Sequence, residues 1–154
     1  MGPATASRRH VLLAAAAGGF AIAAGGLIAR AALATPQQAA ELLAQLAKGT
    51  PKEGKIKLSA PEIAENGNTV PLTIEVESPM TERDYVKAVR IVADGNPNPG
   101  VVTFYLSPAN GRALVQFRCR LAQTEKVIAV AEMSDGSLWT AAREVKVTIG
   151  GCGG

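Results

Sequence analysis

Beyond position 10 the chain has no histidine, since its one His is His10. Ser-His-Asp and Cys-His nucleophile systems are therefore excluded from the rest of the sequence. Cysteine is scarce too. Cys119 and Cys152 are the only two, too few for a zinc site of the usual Cys/His kind. No glycine-rich loop stands between a strand and a helix, so phosphate cradling has no support. Aromatics make up only 4 %. The net charge of +3 comes entirely from the first 34 residues, which hold Arg8, Arg9 and Arg30 and no acid. Residues 35–154 hold thirteen bases against thirteen acids, so no basic patch for nucleic acid or anionic lipid is indicated. With 47 % hydrophobic and 19 % charged residues in 154, the chain is neither wholly disordered nor a multi-span membrane protein. Its length suits one domain with a short appendage. The carboxylate pair Glu75 and Glu77 lies at period two and reads as the wet face of a strand. No catalytic constellation, cofactor or metal site is expected.

Residues 1–34 read as an export signal. Ser7-Arg8-Arg9-His10 is followed by an Ala/Gly-rich apolar run to about Ile28 and an A-x-A site at Ala32-Leu33-Ala34. The paired arginines point to the twin-arginine route. Gly18, Gly19, Gly25 and Gly26 lower the hydrophobicity of the run, which suits that route and argues against a retained span. The expected product begins near Thr35, has about 120 residues, and is periplasmic with no membrane attachment.

Thr35-Pro36-Gln37-Gln38 has the chemistry of a helix start: Thr at N-cap, Pro at N1 and Gln at N3. Ala39, Leu42, Leu43 and Leu46 then form one apolar stripe, and Gly49 is placed to stop the helix. A helix over 36–48, acting as a lid on the core, is expected within an N-terminal segment 35–49. From Lys55 the period becomes two. Strands are expected at Val70–Val76, Tyr85–Ala93, Val101–Leu106, Ala113–Leu121, Val127–Met133, Leu138–Arg143 and Val145–Ile149. Turn signals separate most of them, among them Asp94 through Gly100, Ser107 through Gly111, and Ser134 through Ser137. Pro71 hints at an edge or a strand start. Seven short strands with turns every 8–12 residues over 50–149 indicate an all-β, immunoglobulin-like antiparallel sandwich.

The two cysteines differ in context. Cys119 is in phase with Val115, Phe117 and Leu121, so it reads as a small core hydrophobe. Cys152 sits in Gly150-Gly151-Cys152-Gly153-Gly154. Residues 150–154 form a slim arm without other side chains, and glycine maximises its freedom. Extended, it reaches about 15 Å at roughly 3.3–3.6 Å per residue. Physically this is a tether for covalent cargo, able to enter a narrow channel. With an ordinary thiol pKa near 8.5, only about a few per cent is thiolate at pH 7, so activation falls to whatever protein receives the arm. The competing reading is a binding or structural β-sandwich whose Cys152 forms a disulfide, as exported cysteines often do.

The Gly150–Gly154 terminus resembles that of the SoxY family, the sulfur-carrier subunits of the periplasmic thiosulfate-oxidising (Sox) system. Ala60-Pro61-Glu62-Ile63-Ala64-Glu65-Asn66-Gly67 with Val70-Pro71, and Val130-Ala131-Glu132-Met133-Ser134-Asp135-Gly136, are similar as well. The resemblance implies an immunoglobulin-like fold and a carrier rather than an enzyme. It implies a heterodimer with SoxZ, and Cys152 as the covalent attachment point for sulfur. It also implies three partner enzymes: the c-type cytochrome SoxAX couples thiosulfate to Cys152 as Cys–S–S–SO₃⁻, the hydrolase SoxB releases sulfate, and the sulfane dehydrogenase SoxCD oxidises the remaining sulfur. Cys119 is a departure, since only the tail cysteine is expected in the family.

Overall fold

The computed structural model describes residues 35–46 and 49–150. The export signal, the last two residues of the expected helix, and Gly151, Cys152, Gly153 and Gly154 lie outside the described residues.

Helix α1 spans Pro36–Leu46. Its start is a reciprocal capping box: the Gln38 amide donates to Thr35 Oγ1 at 3.3 Å, and the Thr35 amide donates to Gln38 Oε1 at 2.9 Å. Ala39 is fully buried, and Leu43 packs on Val130 and Leu138. The helix thus covers the outer face of a sheet and seals a small second cluster, whereas the sequence suggested a lid on the main core. Gly49 has φ +145°, positive but away from the left-handed helical region expected of a helix stop.

Nine strands follow: β1 Lys52–Glu53, β2 Ile56–Ser59, β3 Ile63–Ala64, β4 Val70–Val76, β5 Val86–Ala93, β6 Gly100–Tyr105, β7 Leu114–Cys119, β8 Glu125–Met133 and β9 Leu138–Val147. The larger sheet has the order β1-β9-β8-β5-β6, with β3 also paired to β9. β1 and β3 run parallel to β9, and the other pairs are antiparallel. The smaller sheet is β2-β4-β7, antiparallel throughout. Among the described residues the fold is all-β with one short α-helix.

Both sheets contribute to one apolar core. Val70, Leu72, Ile74 and Val115 face it from the smaller sheet, and Val89, Ile91, Val127, Ala129 and Ala131 from the larger. Burying each Val, Leu or Ile contributes about 1.5–3 kcal/mol relative to exposure. Phe104 on β6 and Phe117 on β7 join the sheets through tilted rings with centroids 5.2 Å apart. β5 is buried on both faces, since Ala88 and Val92 are as covered as Val89 and Ile91.

Three differences from the expected strands have physical reasons. The two final strands are one: β9 pairs with β8 without a break from Leu138 to Val145. The charged pair Arg143-Glu144 interrupts the hydrophobic pattern but not the hydrogen-bond ladder. β7 stops at Cys119, not Leu121, because the amides of Leu121 and Ala122 bond outside the ladder. Pro71 sits in the central strand of its sheet, yet the β2 register ends at Ser59–Thr73. Position 71 therefore has a strand neighbour on the β7 side alone, and its missing N–H costs no ladder bond.

Candidate functional site

The described chain ends at Gly150, two residues short of Cys152, so the site can be built at the root of the tail. β9 delivers the chain to that point, and the 62–67 segment fastens it. The Lys146 amide donates to Glu62 O at 2.9 Å and the Thr148 amide to Ala64 O at 3.1 Å; the Gly67 amide donates to Ile149 O at 2.7 Å. Thr148 Oγ1 adds a bond to Glu65 O at 2.9 Å, and Thr124 Oγ1 accepts the Val147 amide at 3.0 Å. The Ala60–Gly67 stretch is thus a clip along the last strand, with Gly67 at its tight end. Gly67 also accepts the Leu121 amide at 2.8 Å, tying the clip to the β7–β8 loop.

That loop forms the surface on which Gly150 lies. A Cβ on Gly150 would come within 2.1 Å of Ala122 O, so no side chain fits there. The glycine serves close backbone approach, a reason separate from the mobility that the sequence suggested for it. Two buried side chains brace the same loop. Asn96, 8 % exposed, accepts the Ala122 amide through Oδ1 at 2.9 Å and donates Nδ2 to Arg120 O at 2.9 Å. Glu125, 5 % exposed, accepts the Gly95 amide at 2.7 Å and the Ala122 amide at 3.0 Å. Burial pushes the Glu125 carboxyl above its ordinary value, and Asp94 adds to this; the amides of Gly95, Ala122 and Gln123 pull the other way. Gly95 is itself confined, as a Cβ there would lie 2.9 Å from Glu125 Cβ.

Sequence reasoning missed this polar knot. Asn96 and Glu125 stood in turn-like, polar stretches, and nothing local marks them as buried. Cys119 is buried at 7 % exposure, on the core side that its strand phase indicated. It lines a groove of about 530 Å³ between the edge strands β6 and β7, together with Val101, Phe104 and Phe117, with Arg118 and Arg120 as its charged lining residues. Glu75 is half-buried and Glu77 exposed; Glu75 pairs with Arg112, whose hydrogen bond and charge hold its carboxyl below the ordinary range. Among the described residues no His/Cys/Asp/Glu group could hold a metal ion, and no helix is long and apolar enough to cross a membrane.

The model of the family described as sulfur oxidation protein SoxY matches residues 41–152, a span that includes Cys152. Among solved structures, the chain is similar to the sulfur carrier protein SoxY from Chlorobium limicola f thiosulfatophilum. The identity is 35 % and the TM-score 0.59, over 71 % of this chain and 96 % of that one. It also resembles a superoxide reductase (neelaredoxin) from Ignicoccus hospitalis, at 21 % identity and a TM-score of 0.54, over 75 % of this chain and 94 % of that one. A putative superoxide reductase from Thermotoga maritima is similar at 17 % identity and a TM-score of 0.53, over 63 % and 93 %. These two likenesses concern the fold alone. No curated protein matches. With its family match over most of the length and its 35 % identity to a sulfur carrier, the chain belongs to the SoxY family of sulfur oxidation proteins.

Proposed function

We propose that this protein carries sulfur intermediates of thiosulfate oxidation covalently on the thiol of Cys152, at the end of the 150–154 arm. The supporting observation is the root: every residue from Lys146 to Gly150 is held by a bond or a backbone contact, and Cys152 comes two residues later among glycines. A fixed base with a thin extension is what presenting one thiol to several enzymes requires. The two packed sheets are in this reading an immunoglobulin-like sandwich, exported by the twin-arginine route and paired in the periplasm with SoxZ.

The chemistry is that of the thiol. Loading joins Cys152 Sγ to the outer sulfur of thiosulfate: R–SH + S–SO₃²⁻ gives R–S–S–SO₃⁻, one proton and two electrons. The electrons pass to the c-type cytochrome SoxAX. SoxB then hydrolyses the S–SO₃ bond, which leaves a persulfide on Cys152 and releases sulfate. SoxCD takes the persulfide sulfur onward. The carrier itself supplies reach, a nucleophile and no base.

Intact mass spectrometry of the mature protein, incubated with thiosulfate and these enzymes, tests the reading. The wild type is expected to gain an adduct that Cys152→Ser lacks while retaining its melting temperature. A stable Cys119–Cys152 disulfide in the native protein, or undiminished pathway turnover by Cys152→Ser, overturns it.

A further inference from the structure

We infer that Asn96 and Glu125 are positioning residues for the carrier arm: they lock the Ala122 backbone into a seat against which Gly150 rests, and so fix where Cys152 starts its excursion. This rests on the carrier reading above.

Ala122 is held from both sides. Its amide is shared between Asn96 Oδ1 and Glu125 Oε1 at 2.9 and 3.0 Å, and its carbonyl faces Gly150 with no space for a methyl group. The two braces come from different places. Asn96 stands in the β5–β6 loop and Glu125 opens β8, and Glu125 Oε2 takes the Gly95 amide at 2.7 Å, closing the knot between the two loops. Among the described residues Glu125 forms no salt bridge. A buried carboxylate satisfied only by N–H groups carries a desolvation cost. The geometry gives that cost a return, because two acceptor oxygens can take several amides at once where a glutamine offers one.

The seat matters through the length of the tether. With Gly150 seated, Cys152 lies two positions beyond the anchor. If the seat opens, the next attachment is Ile149, whose carbonyl takes the Gly67 amide at 2.7 Å, and the free length grows from two residues to three. Once the body is docked on an enzyme, the effective concentration of the thiol at a fixed target falls roughly as the −3/2 power of tether length, here about twofold. This loss appears in kcat, since docking is untouched. A variant that merely unfolds in part lowers the amount of competent carrier, and raises the apparent KM instead.

The experiment measures thiosulfate loading of the mature carrier, paired with SoxZ, by the cytochrome enzyme, with carrier concentration varied. Gly150→Ala displaces the seat directly, and Glu125→Gln loosens it from behind. Each is expected to lower kcat by about twofold with KM unchanged and with labelling of Cys152 by a small thiol reagent unaffected. Because both act through one seat, the double variant is expected to lose no more than either single one. Wild-type kcat in both single variants, or losses that multiply in the double, overturns the proposal. Cys152→Ser serves as control. If it loads like wild type, the carrier reading fails; if it is dead while Gly150→Ala and Glu125→Gln are normal, only the seat fails.

Discussion

The two thiols should differ sharply in reactivity, and the structure sets the size of the difference. The perturbation is excess maleimide added to the native mature protein. Cys119 is 7 % exposed at the end of β7 and is registered opposite Val70 of β4. Although Cys119 lines the β6–β7 groove, so little of it faces that space that a maleimide can seat on its sulfur only after that end of the strand opens. Global unfolding of a domain this size costs about 5–15 kcal/mol, and openings of edge elements cost less. Taking about 4 kcal/mol for the β7 end, with each 1.4 kcal/mol a factor of ten, Cys119 is expected to label about a thousandfold more slowly than an open thiol. Cys152, flanked by glycine on both sides, should label at the rate of a free peptide. Mass mapping after timed quenching reads both rates in one sample. Equal rates would show that the inward phase of β7 does not hold in solution. Failure of either thiol to react, with a mass deficit of two hydrogens, would identify a disulfide.

Other outcomes depend on particular contacts. Leu121, fully buried beside the seat, should cost about 2–5 kcal/mol as Leu121→Ala, read by denaturant unfolding. Thr35→Ala removes the N-cap oxygen and should weaken α1 by about 1 kcal/mol, with faster amide exchange at Gln38. Two carboxylates should give stability trends of opposite sign with pH. The Arg90 hydrogen bond, at 2.8 Å, is the chief cause that holds the Glu132 carboxyl below its ordinary range, with Lys87 assisting at 3.3 Å. Its stabilisation is present above the ordinary carboxylate value and is lost as pH falls through the lowered one, so the deficit of Glu132→Gln in melting temperature should close on acidification. Burial raises Glu125. Its contribution is full below the ordinary value and is lost as pH rises through the raised one, so wild type should gain on Glu125→Gln as the solution is acidified. Replacing Arg8 and Arg9 by lysine should leave unprocessed precursor in the cytoplasm, and normal periplasmic accumulation would refute the twin-arginine route.

What the sequence made legible was local or periodic. Thr35 and Gln38 announce their capping box because both partners lie within one turn. Val70, Leu72, Ile74 and Val76 announce a strand because alternate residues share a face, and all four are buried. Cys119 declared its burial in the same way. The misreadings arose where bonding, not hydrophobicity, decides the boundary. Arg143-Glu144 looks like a boundary between two strands yet lies inside β9, since an exposed stretch of strand needs no apolar side chains to keep its ladder. Leu121 looks like strand yet bonds Gly67. The short strands β1 and β3 depend on partners about 85 residues away along the chain, and two-residue segments carry no period to read. The seat was invisible for the same reason: Asn96, Ala122, Glu125 and Gly150 gain their meaning only when three loops meet.

The clip along β9 also determines how the protein bears load. On the proposed carrier function, an enzyme that draws the arm inward puts tension on Gly150, and the tension runs back along the axis of the last strand. The bonds that join Lys146, Thr148 and Ile149 to Glu62, Ala64 and Gly67 lie across that axis. They are therefore strained side by side in shear, and several must yield together before the chain can slip. A strand peeled sideways would lose them one at a time. Such a pull would thus be resisted at the root, and the distance gained by pulling would be limited to the few residues beyond the clip.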